Sequence, residues 1–176
     1  MANWFASYLA LCTDGARAPD ADNPRGYFEW SGVDRLTTQP LHIAQAAGKA
    51  VKIPSPQLRA LPMDRPYHII FMMRELDECA RSQMKMRMRR NQAEVEFKDL
   101  PMLRSELERH REKVLTALRS TPNVRFIQVD FASLLHNPGE AAARIAAFLN
   151  LPLEHKTEAM AAVIDPTLYR SRSPEC

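Results

Sequence analysis

An arginine and a serine stand eight positions apart after an apolar run, which is a spacing that can serve an anion. The run covers residues 69–73, Arg74 follows it directly, and Ser82 comes eight residues later. A guanidinium binds phosphate through two parallel hydrogen bonds, and a hydroxyl adds a neutral donor. Eight helical residues rise by about 12 Å with a net turn of about 80°. Both side chains therefore reach one ligand only if it is sizeable, or if the arginine extends forward.

Each residue also has a structural explanation that involves no ligand. An arginine after a strand often caps a carbonyl group or pairs with an acid, and Glu78 lies four positions after Arg74. A serine inside a helix often fills a small gap between packed elements. The sequence around the pair is needed to weigh these explanations.

Apolar patterning predicts an α/β fold in a single domain over residues 1–176. Short β-branched or alternating runs predict strands, the first two of them buried: KAVKIP at 49–54, YHIIFMM at 67–73 and NVRFIQVDF at 123–131. Apolar spacing and proline positions predict helices at 3–11, from 75 to about 90, from Pro101 onward, from Pro138 to about Asn150, and near 155–163.

Strands that alternate with helices predict a doubly wound parallel sheet with flanking helices. Ligands of such sheets bind beyond the carboxyl ends of the strands, where helix N-termini present backbone N–H groups to anions. Arg74 stands at a strand-to-helix elbow of this kind.

Composition sets limits on partners and cofactors. The chain has 24 Lys and Arg against 21 Asp and Glu, and this net charge of +3 does not indicate nucleic acid or a membrane surface. The basic run MKMRMRRNQ lacks interleaved aromatic residues and is typical of a solvated helix end. No apolar run approaches the roughly 20 residues of a membrane span. Three widely spaced cysteines and five scattered histidines predict no disulfide framework, no metal site and a reduced, cytoplasmic setting.

The segment FMMRELDECARSQMKM resembles the R-x7-S segment of sulfotransferases. Four further blocks resemble bacterial sulfotransferase-family proteins in the family's order: LCTDGARAPDADNPRGYFEW, GKAVKIPSPQLRALP, VDFASLLHNPGEAAARIAAFLNLPL and VIDPTLYRSR. The resemblance thus extends nearly from end to end. It implies that Arg74 and Ser82 hold the 3′-phosphate of phosphoadenosine phosphosulfate (PAPS), the sulfuryl donor, or of adenosine 3′,5′-bisphosphate.

The same resemblance suggests catalytic residues. Lys52 stands where cytosolic sulfotransferases carry a lysine in a K-x-H segment, and it would neutralise charge on the leaving phosphosulfate or the transferring group. The histidine of that segment is replaced by Pro54, which cannot accept a proton. The nearest alternative base is Glu29, whose other interpretation is a surface carboxylate paired with Arg25 or Arg35.

Three further residues are candidate ligands of the nucleotide by resemblance. Phe131 falls where many family members place a tyrosine near the adenine, and a core phenylalanine that closes a strand explains it as well. Arg170 and Arg172 lie in a tail that would fold over the bisphosphate, or would simply be solvated.

Sulfotransferases hold the 5′-phosphosulfate with a glycine-rich loop, usually R-S-G-T-S, and this sequence has no such stretch. The resemblance puts Met1 inside the helix after that loop, so we expect a domain incomplete at its N-terminus. Without the loop's N–H groups, sulfuryl transfer from PAPS to a hydroxyl or amine of a small-molecule acceptor should be impaired. The alternative is a non-catalytic pseudoenzyme that binds adenosine 3′,5′-bisphosphate, or self-associates as a homodimer through Trp4, Phe5 and Tyr8.

Overall fold

Among the residues that the structure describes, the sheet has two parallel strands. The computed structural model describes residues 11–15, 18–20, 23–89, 99–150 and 157–168. Within these residues, strand β1 (Tyr67–Met73) pairs with strand β2 (Val124–Asp130) over the full length of both. The register places Tyr67 opposite Val124 and Met73 opposite Asp130. The carboxyl ends of the two strands therefore lie side by side.

Helices connect and flank these strands. Helices α1 (Leu76–Arg89) and α2 (Leu100–Ser120) form the crossover from β1 to β2. Three helices follow β2: α3 (Phe131–His136), α4 (Pro138–Phe148) and α5 (Thr157–Ala162). The predicted α/β class, with a parallel sheet and flanking helices, is confirmed. The helices predicted from 75, from Pro101, from Pro138 and near 155 are present, whereas the one predicted at 3–11 lies outside the described residues.

The main core lies between one face of the sheet and the last three helices. Paired residues of parallel strands point to the same face, and Ile70 pairs with Ile127 while Met72 pairs with Val129. Side chains from the three helices pack against this face: Leu134, Ala142, Ile145 and Met160. All four are at most 1% exposed. This packing fixes where β2 ends and α3 begins.

A second core holds the segment before the sheet. Short 3₁₀ helices at Ser31–Val33, Pro40–Ala46 and Ser55–Ala60 replace regular α-helices in this region. Their apolar side chains gather around Leu36, which is fully buried, with Cys12, Ile43 and Leu61 beside it. Tyr67 packs against the same cluster and so connects it to the start of β1.

The strand predicted at 49–54 is reduced to a single bridge. Ala50 pairs in parallel with Leu11, and Cys12 N donates to Ala50 O at 2.9 Å. The segment stays extended at its end, where Pro54 has φ −59° and ψ 137°, but a ladder needs a neighbouring strand. Among the described residues β2 is the sole strand that pairs with β1, and residues 51–53 line a cavity instead.

The prediction that β1 is a buried strand is also wrong, because the strand is more exposed than expected. All seven of its residues are half-buried or exposed, because its second edge borders that cavity.

The predicted end of the third strand is wrong by one residue. Phe131 was expected to close the strand, but it is the first residue of α3. The cause is Asp130, whose carboxylate accepts a hydrogen bond from Ser133 N at 2.8 Å and so caps the helix. As a result, the Phe131 ring is held at the carboxyl edge of the sheet.

Membrane spans were sought among the described helices. None of these helices is both long enough and apolar enough to cross a bilayer.

The tight approach at Gly32 predicts a localised loss of stability. A β-carbon at position 32 would overlap the Trp30 ring, which is stacked on His42 with centroids 5.2 Å apart. We expect Gly32→Ala to lower the free energy of unfolding by about 1–3 kcal/mol in urea denaturation. Gly139→Ala is the matched control, because Gly139 has open space around it and lies within α4. The control should be neutral or slightly stabilising, and an equal loss in both variants would contradict the packing described here.

Candidate functional site

The free edge of β1 forms one wall of a cavity of about 1460 Å³. Residues 67–72 and residues 48–53 both line it. Ligand pockets usually measure about 300–1,000 Å³. The cavity is therefore large enough for a nucleotide together with a second molecule.

Four residues singled out from the sequence line this one cavity: Lys52, Arg74, Ser82 and Phe131. They come from the segment after Ala50, the end of β1, helix α1 and the start of α3. Arg170 and Arg172 lie outside the described residues.

Cationic side chains outnumber carboxylates among the residues that line the cavity. The described lining includes one carboxylate, Asp165, and six cationic side chains: Arg25, Lys49, Lys52, Arg65, Arg74 and Lys85. Four of the six, namely Arg25, Lys52, Arg65 and Arg74, form ion pairs with carboxylates. An anionic ligand would therefore compete with these carboxylates for the cationic groups. Lys49, Lys85, Arg25 and Arg65 were not recognised as candidates, because they are far apart in the sequence and only the folded chain brings them to one wall.

Arg74 is held in place by two neighbours. Its Nε donates to Glu78 Oε2 at 3.0 Å, and its guanidinium lies over the Phe131 ring, 5.2 Å from the centroid. The Glu78 side chain is only 4% exposed, and breaking a buried pair by removing one charge is costly. The predicted alternative, an Arg74–Glu78 pair, is thus confirmed. The pair also orients an arginine that faces the cavity.

The N-terminus of α1 does not offer its first N–H groups to a ligand as the sequence suggested. The Glu75 carboxylate accepts from Asp77 N at 3.0 Å and from Glu78 N at 2.9 Å. Burial alone would raise the pKa of the Glu75 carboxyl, but these backbone hydrogen bonds, aided by Arg81, bring it below its usual value. The carboxylate therefore stays charged and remains hydrogen-bonded to the N–H groups of Asp77 and Glu78. Side chains, rather than backbone amides, supply the donors at this elbow.

Helix α1 presents one side to the cavity. Ser82, Lys85 and Met86 all line it, and Lys85 and Met86 follow Ser82 by three and four residues. Residues at that spacing lie on one helical face. The serine hydroxyl is therefore accompanied by a lysine one turn further along.

Lys52 is bound to the loop opposite it. Its Nζ donates to Tyr27 O at 3.0 Å and to Glu29 Oε1 at 3.3 Å, and it lies 5.7 Å from the centre of the Tyr27 ring. Phe28, between those two residues, has a positive φ of 51°. A phenylalanine in this region is strained, and such strain clusters at functional sites. The strained turn directs the Tyr27 carbonyl and the Glu29 carboxylate towards one ammonium group.

Glu29 reaches the site indirectly. It is not among the residues that line the cavity, and its carboxylate contacts Lys52. Arg25, one of its two expected partners, instead bonds Asp165 Oδ2 at 2.7 Å and Val163 O at 3.1 Å. Hydrogen bonds from the Thr167 hydroxyl and amide are the main reason why the pKa of Asp165 lies below its usual value. That carboxylate thus ties the 23–30 loop to the segment after α5.

Metal ligation was searched for in the same residues. Within the described ranges, no group of three or more His, Cys, Asp or Glu side chains is arranged to hold a metal ion.

Comparison with known proteins gives one match. The model of the sulfotransferase family matches residues 66–155, a stretch that contains both strands and helices α1 to α4. Arg74, Ser82 and Phe131 lie inside it, whereas Lys52 and Glu29 precede it. No curated protein and no solved structure matched the chain. The family match covers just over half of the 176 residues and includes the whole sheet, and the chain therefore belongs to the sulfotransferase family.

Proposed function

We propose that the cavity binds PAPS through its 3′-phosphate and that the protein transfers the sulfuryl group to a hydroxyl or amine of a small-molecule acceptor. The observation that carries this proposal is the position of Arg74. It is oriented by Glu78 and Phe131 and shares one cationic cavity with Ser82 and Lys52.

Arg74 and Ser82 are assigned to the 3′-phosphate. A guanidinium has five N–H donors in a fixed plane, so an ion pair through Nε does not by itself exclude phosphate binding. A bound phosphate would gain charge-assisted hydrogen bonds from Arg74 and a neutral one from the Ser82 hydroxyl. Lys85, on the same side of α1, adds a second positive charge. These are donors that distinguish a 3′-phosphorylated nucleotide from one without that group.

Phe131 has two roles in this proposal. It supports the guanidinium through a cation–π contact, which is worth about 0.5–2 kcal/mol. Its position on the cavity wall also offers an aromatic surface to the adenine.

Lys52 is assigned to the charge that develops on transfer. As the sulfur–oxygen bond breaks, negative charge builds up on the leaving phosphate, and a nearby ammonium group stabilises it. The Lys52–Glu29 ion pair joins side chains that are 44% and 39% exposed, and exposed pairs contribute about 0–1 kcal/mol. Lys52 can therefore exchange Glu29 for an anionic ligand at small cost.

A second function that the same cavity could serve is nucleotide binding without transfer, because the residues assigned to the 3′-phosphate act independently of the reacting group. A protein of this kind would retain affinity for adenosine 3′,5′-bisphosphate and release none from PAPS. Either function fits the reduced, cytoplasmic setting proposed from the cysteines, and neither calls for nucleic acid. Self-association as a homodimer belongs with the second function and is tested by sedimentation.

Substitution of Arg74 tests the nucleotide site. Loss of charged hydrogen bonds worth about 1.5–3 kcal/mol should weaken binding of adenosine 3′,5′-bisphosphate roughly 10- to 100-fold in calorimetry. Arg74→Ala alone would leave Glu78 buried without this partner, so Arg74→Ala with Glu78→Gln should be measured as well. Arg144→Ala is the control, since Arg144 is exposed on α4 and absent from the cavity wall. Unchanged affinity in both Arg74 variants would remove the assignment.

Substitution of Lys52 separates transfer from binding. Lys52→Met should lower the rate at which PAPS is converted to adenosine 3′,5′-bisphosphate about 100-fold or more, because a preorganised charge is lost at the reacting group. Its effect on the affinity for the bisphosphate product, which lacks the sulfuryl group, should be smaller. Lys113→Met, at an exposed position of α2, is the control. If Lys52→Met loses rate and product affinity equally, Lys52 contributes to binding only. If the unaltered chain does not turn over PAPS, the second function is favoured.

A further inference from the structure

A serine and a histidine far apart in the sequence meet at the edge of the cavity. Ser55 Oγ and His110 Nε2 are 2.8 Å apart. Ser55 opens the 3₁₀ helix Ser55–Ala60, and His110 lies in the middle of α2, which packs against that helix. Neither residue was a candidate from the sequence, because the pairing depends on how α2 crosses the 55–60 segment.

The position of Ser55 connects this pair to the proposed reaction. Ser55 lines the cavity, whereas His110 is not among the lining residues and lies behind it. Ser55 follows Lys52 by three residues, which limits the distance between their Cα atoms to about 11 Å even in a fully extended chain. Because both residues line the same cavity, a molecule that reacts beside Lys52 can extend to the Ser55 hydroxyl.

Transfer to a hydroxyl acceptor needs a group that takes the acceptor's proton. Pro54 stands where the resemblance places a histidine, and it has no basic atom. The Glu29 carboxylate contacts Lys52 and lies outside the residues that line the cavity. Ser55 lies next to Pro54 and already contacts an imidazole nitrogen.

We propose that Ser55 and His110 form the proton relay of this site. The inference rests on the sulfuryl transfer proposed above. The acceptor oxygen forms a bond to sulfur while the bond from sulfur to the bridging phosphate oxygen breaks, and adenosine 3′,5′-bisphosphate leaves. The acceptor's proton passes to Ser55 Oγ as the Ser55 proton passes to His110 Nε2, which leaves an imidazolium. Ser55 is thus the catalytic residue, and His110 acts through it.

The relay requires a defined tautomer of His110. Nε2 must be without a proton in the resting state so that it accepts the hydrogen bond from Ser55, and Nδ1 must carry the proton. Ring-nitrogen NMR of His110 reports this directly. The Nε2 signal should shift in Ser55→Ala and should be retained in Ser55→Thr, which keeps a hydroxyl.

The deciding experiment measures product affinity and PAPS turnover on the same variants of the full chain. Ser55→Ala and His110→Gln should each lower the rate of adenosine 3′,5′-bisphosphate formation from PAPS about 10²- to 10⁴-fold, the usual contribution of a general base. Calorimetric affinity for adenosine 3′,5′-bisphosphate should stay within about twofold, since the relay contacts the acceptor and not the nucleotide. Ser55→Thr should restore most of the rate. His136→Gln is the matched control, because His136 is exposed and absent from the cavity wall.

The outcomes separate this inference from the proposed function. Turnover in His110→Gln or Ser55→Ala equal to that of the unaltered chain overturns the relay and leaves the sulfotransferase proposal standing. Nucleotide binding without any PAPS turnover by the unaltered chain also overturns it. Failure of the unaltered chain to bind adenosine 3′,5′-bisphosphate removes the proposed function, and the relay with it. Circular dichroism melts identify a variant that has not folded, and His110→Asn then replaces His110→Gln.

Discussion

The ion pair between Arg74 and the buried Glu78 is the contact on which the site depends. It forms where β1 ends and α1 begins, and one of its members faces the cavity while the other lies in the protein interior. A buried carboxylate needs its partner, so the arginine cannot swing away without a large penalty. The same guanidinium lies over the Phe131 ring. Phe131 has this position because Asp130 caps α3 immediately after β2. Because the two strands are parallel and in register, the turn from β1 to α1 and the turn from β2 to α3 lie side by side.

A second constraint is the open edge of β1. Among the described residues β1 has one neighbouring strand, and its other edge borders a cavity that residues 48–53 also line. Lys52 lies on that segment and Ser55 opens the 3₁₀ helix that follows it, so the charge proposed to stabilise transfer and the hydroxyl proposed to take the proton are three residues apart in the chain. The residues proposed to bind the 3′-phosphate, Arg74 and Ser82, lie instead at the end of β1 and on α1. In the proposed reaction, different elements would therefore hold the nucleotide and take the acceptor's proton.

The sequence predicted the elements of the fold well wherever local signals decided them. Proline positions and apolar spacing located α2 and α4, an apolar run located β1, and alternation located β2. The sequence predicted less where the secondary structure of a segment depends on the segments that pack or pair with it. The run KAVKIP has strand composition, but a strand also needs a partner, and this segment finds one only at Ala50. Arg74, Ser82, Phe131 and Lys52 were found through family resemblance and do line one cavity, although their roles are proposals. The Ser55–His110 pair could not be found, because 55 residues separate its members and neither has a motif of its own.

The proposed function rests on recognition of a 3′-phosphate by Arg74 and Ser82. The most direct test is to titrate the unaltered chain with adenosine 3′,5′-bisphosphate and, separately, with adenosine 5′-monophosphate, which differs only in lacking that group. The bisphosphate should bind, and the monophosphate should bind at least about tenfold more weakly, because it lacks the charged hydrogen bonds made by the 3′-phosphate. Equal affinity for the two nucleotides, or no binding of either, would contradict it.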